Sequence, residues 1–156
     1  MLPPLVADAF RSFPRDLAAV CRPHSWAELT SAPGAGLRSV RDVLVHLMEN
    51  EAGWVGHVIR GEPRRRFDPG AFNDIEAVLA EWEPLRAASL ATILALGDEV
   101  RRSRRPLPWD ATRTVGVEEV VWHLVGHDQY HRGQVFTRLA LLGRRDLPDQ
   151  DLIRAT

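Results

Sequence analysis

The chain has 156 residues, 45% hydrophobic and 26% charged, the balance of a single globular domain able to bury its own core. Its 20 basic and 21 acidic residues leave a net charge of −1, which gives no electrostatic case for nucleic acid or an anionic membrane. All the basic residues are Arg, scattered among acids, and the clusters at 64–66 and 101–105 read as solvated linkers and helix ends. A single cysteine, Cys21, excludes an intrachain disulfide and reads as a packed structural thiol. No apolar run reaches the length of a membrane span, and the Met1 region has neither a charged n-region nor an apolar h-region. The expected setting is the cytoplasm.

Four segments carry helical periodicity. The first spans Leu5 to Cys21, with Leu5, Phe10, Phe13, Leu17 and Val20 apolar and Pro14 as a kink. From Pro23 to Gly36 the chain reads as a loop, holding Pro33-Gly34 and Gly36, with Trp26 and Leu29 packing back onto the core. The second helix begins at Ser39, where Ser39 and Asp42 resemble a capping box, and Val43, His46, Leu47, Asn50 and Trp54 follow. Gly61-Glu62-Pro63 ends it. Residues 61–72 form a long basic linker with Pro63, Pro69 and Gly70. A linker of that length can carry the chain back along a bundle, so the second and third helices need not be antiparallel neighbours.

The third helix is expected to start at Asn73 as N-cap, with Glu76 at the third helical position. It continues through Ile75, Val78, Leu79, Trp82, Leu85, Leu90, Ile93 and Leu96, kinks at Pro84, and is spent by Pro106. Residues 106–116 form a second connection. The fourth helix runs from Val117 to Leu142, with Glu118 and Glu119 in its first turn, Gly143 as its stop and Arg144-Arg145 suited to the helix dipole. Nothing reads as a strand. The pattern predicts an all-α protein, a single four-helix bundle over residues 1–156 with a long crossover between its second and third helices.

The chemistry lies in the histidines. His123, His127 and His131 fall at i, i+4 and i+8 of the fourth helix, on a stripe that slips roughly 40° per four-residue step. Either adjacent pair can share one transition-metal ion, whereas the outer two, about 12 Å apart along the axis, cannot easily do so. His46 lies in an apolar helical face, where an unpaired imidazole is costly to bury, and could complete a ligand set from a facing helix. His57 lies three turns from His46 and is expected at the surface. His24, in the loop, carries no signal.

Leu44-Val45-His46-Leu47, followed by Glu51 and Trp54, resembles the second helix of the DinB/YfiT family, whose members are regarded as metal-dependent enzymes. His123-Leu124-Val125-Gly126-His127-Asp128-Gln129-Tyr130-His131-Arg132-Gly133-Gln134 is similar to that family's fourth-helix signature, His-x3-His-x3-His-Arg-Gly-Gln. The stretch from Leu139 to Gly143, with Asp146-Leu147-Pro148 and Asp151, is similar to its closing segment. The resemblance covers nearly the whole chain. It implies a four-helix bundle with a long second crossover, and metal ligands at His46, His127 and His131, with His123 as their neighbour. The chain departs from the family pattern where helix four opens with Gly116-Val117-Glu118 in place of a Thr or Ser cap.

Three neutral imidazoles suit zinc, nickel, iron(II) or cobalt, and three protein ligands leave positions open for water or substrate. Characterised relatives include enzymes that use low-molecular-weight thiols such as bacillithiol or mycothiol. The leading expectation is a metal-dependent thiol S-transferase acting on a small electrophile. Orienting or neighbouring roles fall to Glu51, Gln134, His123 and Asp128. Arg132 is a candidate partner for a substrate carboxylate, or for a surface ion pair. The stretch from His127 to His131 also mimics a zincin motif with Asp128 in place of the Glu base, so a metal-dependent hydrolase is the competing expectation. A third reading is a non-catalytic metal-binding module of stress response, with Trp26, Trp109 and Trp122 in its core or interface and a face for homodimer pairing.

Overall fold

A computed structural model of the chain describes residues 2–34 and 37–149. Met1, Gly36 of the first loop and Asp151 of the closing segment lie outside the described residues. The first helix, α1 (Pro4–Cys21), starts with proline in its first turn, where the missing N–H costs nothing. It buries Phe10, Phe13, Leu17 and Cys21 along one stripe. Pro14 sits inside α1 without ending it. Having no N–H, it leaves the Phe10 carbonyl without its usual helical donor, and Arg86 Nη1 supplies one at 2.9 Å.

The loop expected after α1 contains a short helix, α2 (Trp26–Thr30). The Ser25 hydroxyl accepts from Glu28 N while the Glu28 carboxylate accepts from Ser25 N at 2.8 Å, a complete capping box. The Ser-x-x-Glu pattern was legible in the sequence. Leu29 is buried, and Trp26 packs half-buried against the same cluster.

Ser39 caps α3 (Val40–Glu51) by accepting from Asp42 N at 3.1 Å. The helix then continues as a π-helical stretch, Ala52–Ile59, to Gly61, whose φ of 75° closes it. Residues 60–74 cross over, interrupted by a short 3₁₀ turn, Pro69–Ala71. Phe67 and Phe72 pack against the core, and the Glu49 carboxylate accepts from Phe67 N at 3.0 Å. The third bundle helix, α4 (Ile75–Ala95), is capped by Asp74, which accepts from Ala77 N at 2.7 Å, so the cap lies one residue beyond the expected Asn73. It ends at Ala95, well before Pro106, and Gly97 opens a separate short helix, α5 (Asp98–Arg102).

The connection that follows corrects the expectation of no strand. β1 (Arg104–Leu107) and β2 (Asp110–Gly116) pair antiparallel, Arg104 opposite Gly116, with Trp109 in the turn between them. Their solvent-facing Arg, Pro and Thr residues lack an alternating apolar pattern, so no period-two signal marks them. The last helix is α6 (Val117–Leu141), where Glu119 accepts from Gly116 N at 2.7 Å in place of a hydroxyl cap. Gly143, with φ 97°, follows it, and Arg144 N closes onto the Leu139 carbonyl at 3.0 Å. Among the described residues, no helix is long and apolar enough to cross a membrane.

Cross-helix contacts fix the directions. Arg22 meets Glu76 and Arg15 meets Glu83, so α1 and α4 are antiparallel. Glu51 meets Arg86 while Arg60, further along, meets Thr92, so α3 and α4 run parallel. A parallel neighbour cannot follow through a tight turn, which is why the crossover of residues 60–74 is long. Arg138 reaches the Arg38 carbonyl while His123 meets Trp54, so α3 and α6 are antiparallel. The expected four-helix bundle is thus present, with α1, α3, α4 and α6 as its members and the hairpin added at one end.

Two clusters fill the bundle, one around Phe13, Leu47, Trp82 and Leu139, the other around Phe10, Val55, Leu90 and Leu124. Leu47→Ala, inside the first, is expected to lower unfolding stability by about 2–5 kcal/mol. Leu94→Ala, at an exposed position, should stay within roughly 0.5 kcal/mol of the parent in the same urea titration.

Candidate metal centre

His46 projects from α3 and His127 and His131 from α6, and the antiparallel pairing of these helices brings the three rings together. Ring centroids lie 5.1 Å apart for His46 and His127, 4.8 Å for His46 and His131, and 4.3 Å for His127 and His131. One nitrogen from each ring lies within 4.8 Å of the others. His123, one turn earlier, is exposed; its ring is 5.3 Å from His127 and 5.4 Å from Trp54. His57 is half-buried, its Nδ1 against the Glu62 carbonyl at 2.7 Å, and takes no part in the cluster.

The chemistry of the set fits a divalent transition ion. His127 Nε2 and His131 Nε2 are 3.1 Å apart. Two nitrogens each about 2.1 Å from a shared ion would be separated by roughly 2.9–3.4 Å. The Gln134 carbonyl oxygen lies 2.9 Å from His131 Nδ1 and can only accept, so that nitrogen carries the proton. His131 Nε2 is thereby left with its lone pair facing the cluster. Burial, helped by neighbouring charges, pushes His46 down to about 4 and His127 down to about 3. Burial also lowers His131, whereas its bond to Gln134 works the other way. The rings are therefore neutral donors at neutral pH.

The other residues singled out from sequence divide between two environments. Gln134 touches the cluster directly. Glu51 and Asp128 do not: both are buried and share one guanidinium, that of Arg86, which is 2% exposed. Arg86 donates to Asp128 Oδ2 at 2.7 Å and to Glu51 Oε2 at 3.0 Å, and Trp82 Nε1 donates to the same Glu51 oxygen at 2.9 Å. Burial works against the charge on Arg86, but the two carboxylates outweigh it and hold it protonated. Burial pushes the Asp128 carboxyl up, with Arg86 pulling it down. So engaged, Asp128 is not placed as the base of a zincin-like site. Arg132 faces away from the histidines and donates to the Asp149 carbonyl at 2.8 Å. Cys21 is fully buried, and burial pushes its thiol up to about 12, as suits a packed structural role.

Arg86 and Trp82 were missed as site-supporting residues because in sequence they are one Arg among many and one core aromatic. The only available signal was Arg86 falling on the apolar face of α4. A concavity of about 700 Å³ lies elsewhere, between α1 and α6, where Asp16, Gln129 and Phe136 line it. Chemistry rather than cavity size therefore marks the candidate site.

A helical bundle with parallel second and third helices and three imidazoles converging between its second and fourth defines the class of protein. Residues 9–135 match the DinB superfamily, and the chain belongs to that family. Its fold is similar to YfiT from Bacillus subtilis, described as a probable metal-dependent hydrolase with an unusual four-helix bundle topology. The two share 17% identity and a TM-score of 0.72 over 90% of this chain and 87% of YfiT. Another DinB-like protein of Bacillus subtilis aligns at 13% identity and TM-score 0.72, over 94% of this chain and 97% of its own. One from Bacillus cereus aligns at 10% identity and TM-score 0.71, over 92% and 94%. No curated protein matches the chain by sequence.

Removing the shared cation should expose how the buried acids are held. Arg86→Met is expected to cost about 3–5 kcal/mol at neutral pH, because two buried carboxylates lose their partner. Burial already holds the Asp128 carboxyl above its unfolded value, at about 6, and loss of Arg86 would raise it further, so the added destabilisation of the variant grows as pH rises. The penalty should shrink between pH 8 and pH 5 in urea titrations, and a pH-independent penalty would contradict this account.

Proposed function

We propose that this protein is a metal-dependent enzyme acting on a small molecule, with His46, His127 and His131 as the metal ligands. The observation that carries this reading is the convergence of three neutral imidazoles from two antiparallel helices, one oriented by Gln134. A bound divalent ion would supply Lewis acidity and lower the pKa of a thiol or water near it. The chain itself holds the rings neutral and fixes the tautomer of His131, and an exposed imidazole, His123, stands beside His127. Zinc, nickel and iron(II) all suit such a donor set.

The favoured reaction is transfer of a low-molecular-weight thiol to a small electrophile. Its support is the engagement of the nearby acids: Asp128 and Glu51 are held by Arg86, and Glu49 accepts from Phe67 N. A thiol co-substrate brings its own nucleophile and needs no such carboxylate as base. Hydrolysis is the second reading, favoured by the similarity in fold to YfiT; its proton acceptor would be His123, the exposed imidazole beside His127.

Elemental analysis of untagged protein should find a near-stoichiometric transition metal, lost in His131→Ala. Gln134→Ala should retain the fold but bind the ion about 10–100-fold more weakly. Wild-type protein that takes up no metal on reconstitution would remove the basis of the reading. With metal loaded, thiol conjugation and ester hydrolysis assays run side by side separate the two reactions.

The pH dependence of metal affinity offers a separate check. Protons compete for a ligand nitrogen only below its pKa, and here those values are depressed. Three ordinary imidazoles would lose about 10³-fold in apparent affinity between pH 7.5 and 5.5. This site should lose less than about tenfold over that interval and weaken steeply only near pH 4 and below, as read by competition with a chromophoric chelator.

A further inference from the structure

Among the described residues, five buried side-chain atoms able to hydrogen-bond have no partner: His24 Nε2, Asn50 Oδ1, Glu51 Oε1, Ser89 Oγ and Arg101 Nε. A buried acceptor without a donor is uncommon in a folded protein and calls for a physical explanation. Of the five, Asn50 stands on the face of α3 that carries His46. His46, four residues before it, packs against His127 and His131, and Trp54, four residues after it, packs against His123. All three partners belong to α6, so Asn50 occupies the turn of α3 between two contacts with that helix. Glu51, the next residue, is turned about 100° away and meets Arg86 and Trp82 instead.

The histidines differ in how they are held. Gln134, three residues after His131 on α6, accepts from its Nδ1 at 2.9 Å and so fixes which nitrogen faces the cluster. Among the described residues, no hydrogen bond holds either ring nitrogen of His46. A neutral imidazole that offers one nitrogen to an ion carries its proton on the other, and that N–H is ordinarily bound by an acceptor. His46 thus supplies a donor that lacks an acceptor, and Asn50 an acceptor that lacks a donor. Residues four apart on a helix have their Cβ atoms about 5–6 Å apart. Helical side chains lean toward the N-terminus, which carries the Asn50 amide back over the turn that bears His46. A change of side-chain torsion joins the two without moving the backbone.

We propose that Asn50 is a positioning residue of the metal centre, its Oδ1 accepting the ring N–H of His46 that faces away from the cluster. It does for His46 what Gln134 does for His131, as an amide about one turn further along the same helix. This inference rests on the metal-dependent reading above, because only a ligand role requires His46 to present one chosen nitrogen. The unpartnered carbonyl is a local cost to stability, retained for that role.

The zinc affinity of wild type, Asn50→Leu and Asn50→Asp, read by competition with a chromophoric chelator, tests this. Asn50→Leu keeps the branched shape without the polar atoms and should bind zinc about 10–100-fold more weakly, with helix content unchanged. Asn50→Asp keeps an acceptor oxygen and should bind zinc at least as tightly as wild type. In nitrogen-resolved NMR spectra of the zinc-loaded proteins, the His46 ring N–H should exchange slowly in wild type and Asn50→Asp, and rapidly in Asn50→Leu. Equal zinc affinity in wild type and Asn50→Leu, or equal losses in Asn50→Leu and Asn50→Asp, would overturn the proposal and leave the three-histidine site standing. Rapid exchange of that N–H in zinc-loaded wild type would overturn it whichever variants fold. Wild type that takes up no zinc on reconstitution would remove the metal reading and this inference with it.

Discussion

The guanidinium of Arg86 is the interaction on which the rest of this bundle depends. It sits on α4 and touches every other bundle helix: the Phe10 carbonyl and ring of α1, Glu51 of α3 and Asp128 of α6. Each contact answers a problem that the sequence itself creates. Pro14 leaves the Phe10 carbonyl unbonded within its helix, and two carboxylates are buried where an uncompensated charge would be costly. A buried ion network of this kind is weak evidence for stability in itself, because desolvation offsets much of the attraction. Its effect here is geometric: the four helices can pack only in the register that lets one cation reach all three partners.

That register is also what assembles the histidines. Asp128 follows His127 directly, and Glu51 lies five residues after His46. Fixing the two acids on a common guanidinium therefore fixes the rotation and height of α3 and α6 relative to each other. His46 then faces His127 and His131 across the helix pair, with Gln134 holding one ring in a single tautomer. The low basicity of the rings follows from the same burial. Three imidazoles this close, were any of them charged, would repel one another in a weakly solvated space.

The π-helical stretch and the hairpin shape the surroundings of the cluster. Widening the helix after Glu51 changes the angular step per residue, and the Trp54 ring lies against His123. The hairpin brings Trp109 to the same place from a distant part of the chain. None of this alters the histidine set, which belongs to two regular helices. It alters what a molecule approaching the set would meet.

Much of this protein could be read from its sequence, for local reasons. Helical period, proline and glycine punctuation and side-chain caps act within a few residues, so the four long helices emerged within a few residues of their observed ends, save the third, which stops well short of Pro106. The His127 and His131 pair was visible because a helix holds i and i+4 on one face. The fourth-helix signature, by resemblance, chose that pair over His123 with His127, and set His46 beside it. The hairpin escaped notice because its strands expose polar residues and carry no alternation. The parallel course of α3 and α4 was only permitted by the linker, not required by it. The partnership of Glu51 and Asp128 with Arg86 could not be read locally at all, because an acid near a metal motif looks the same whether it faces the ion or the core. Those assignments depend on contacts between residues 35 and 42 positions apart, and only the packed bundle decides them.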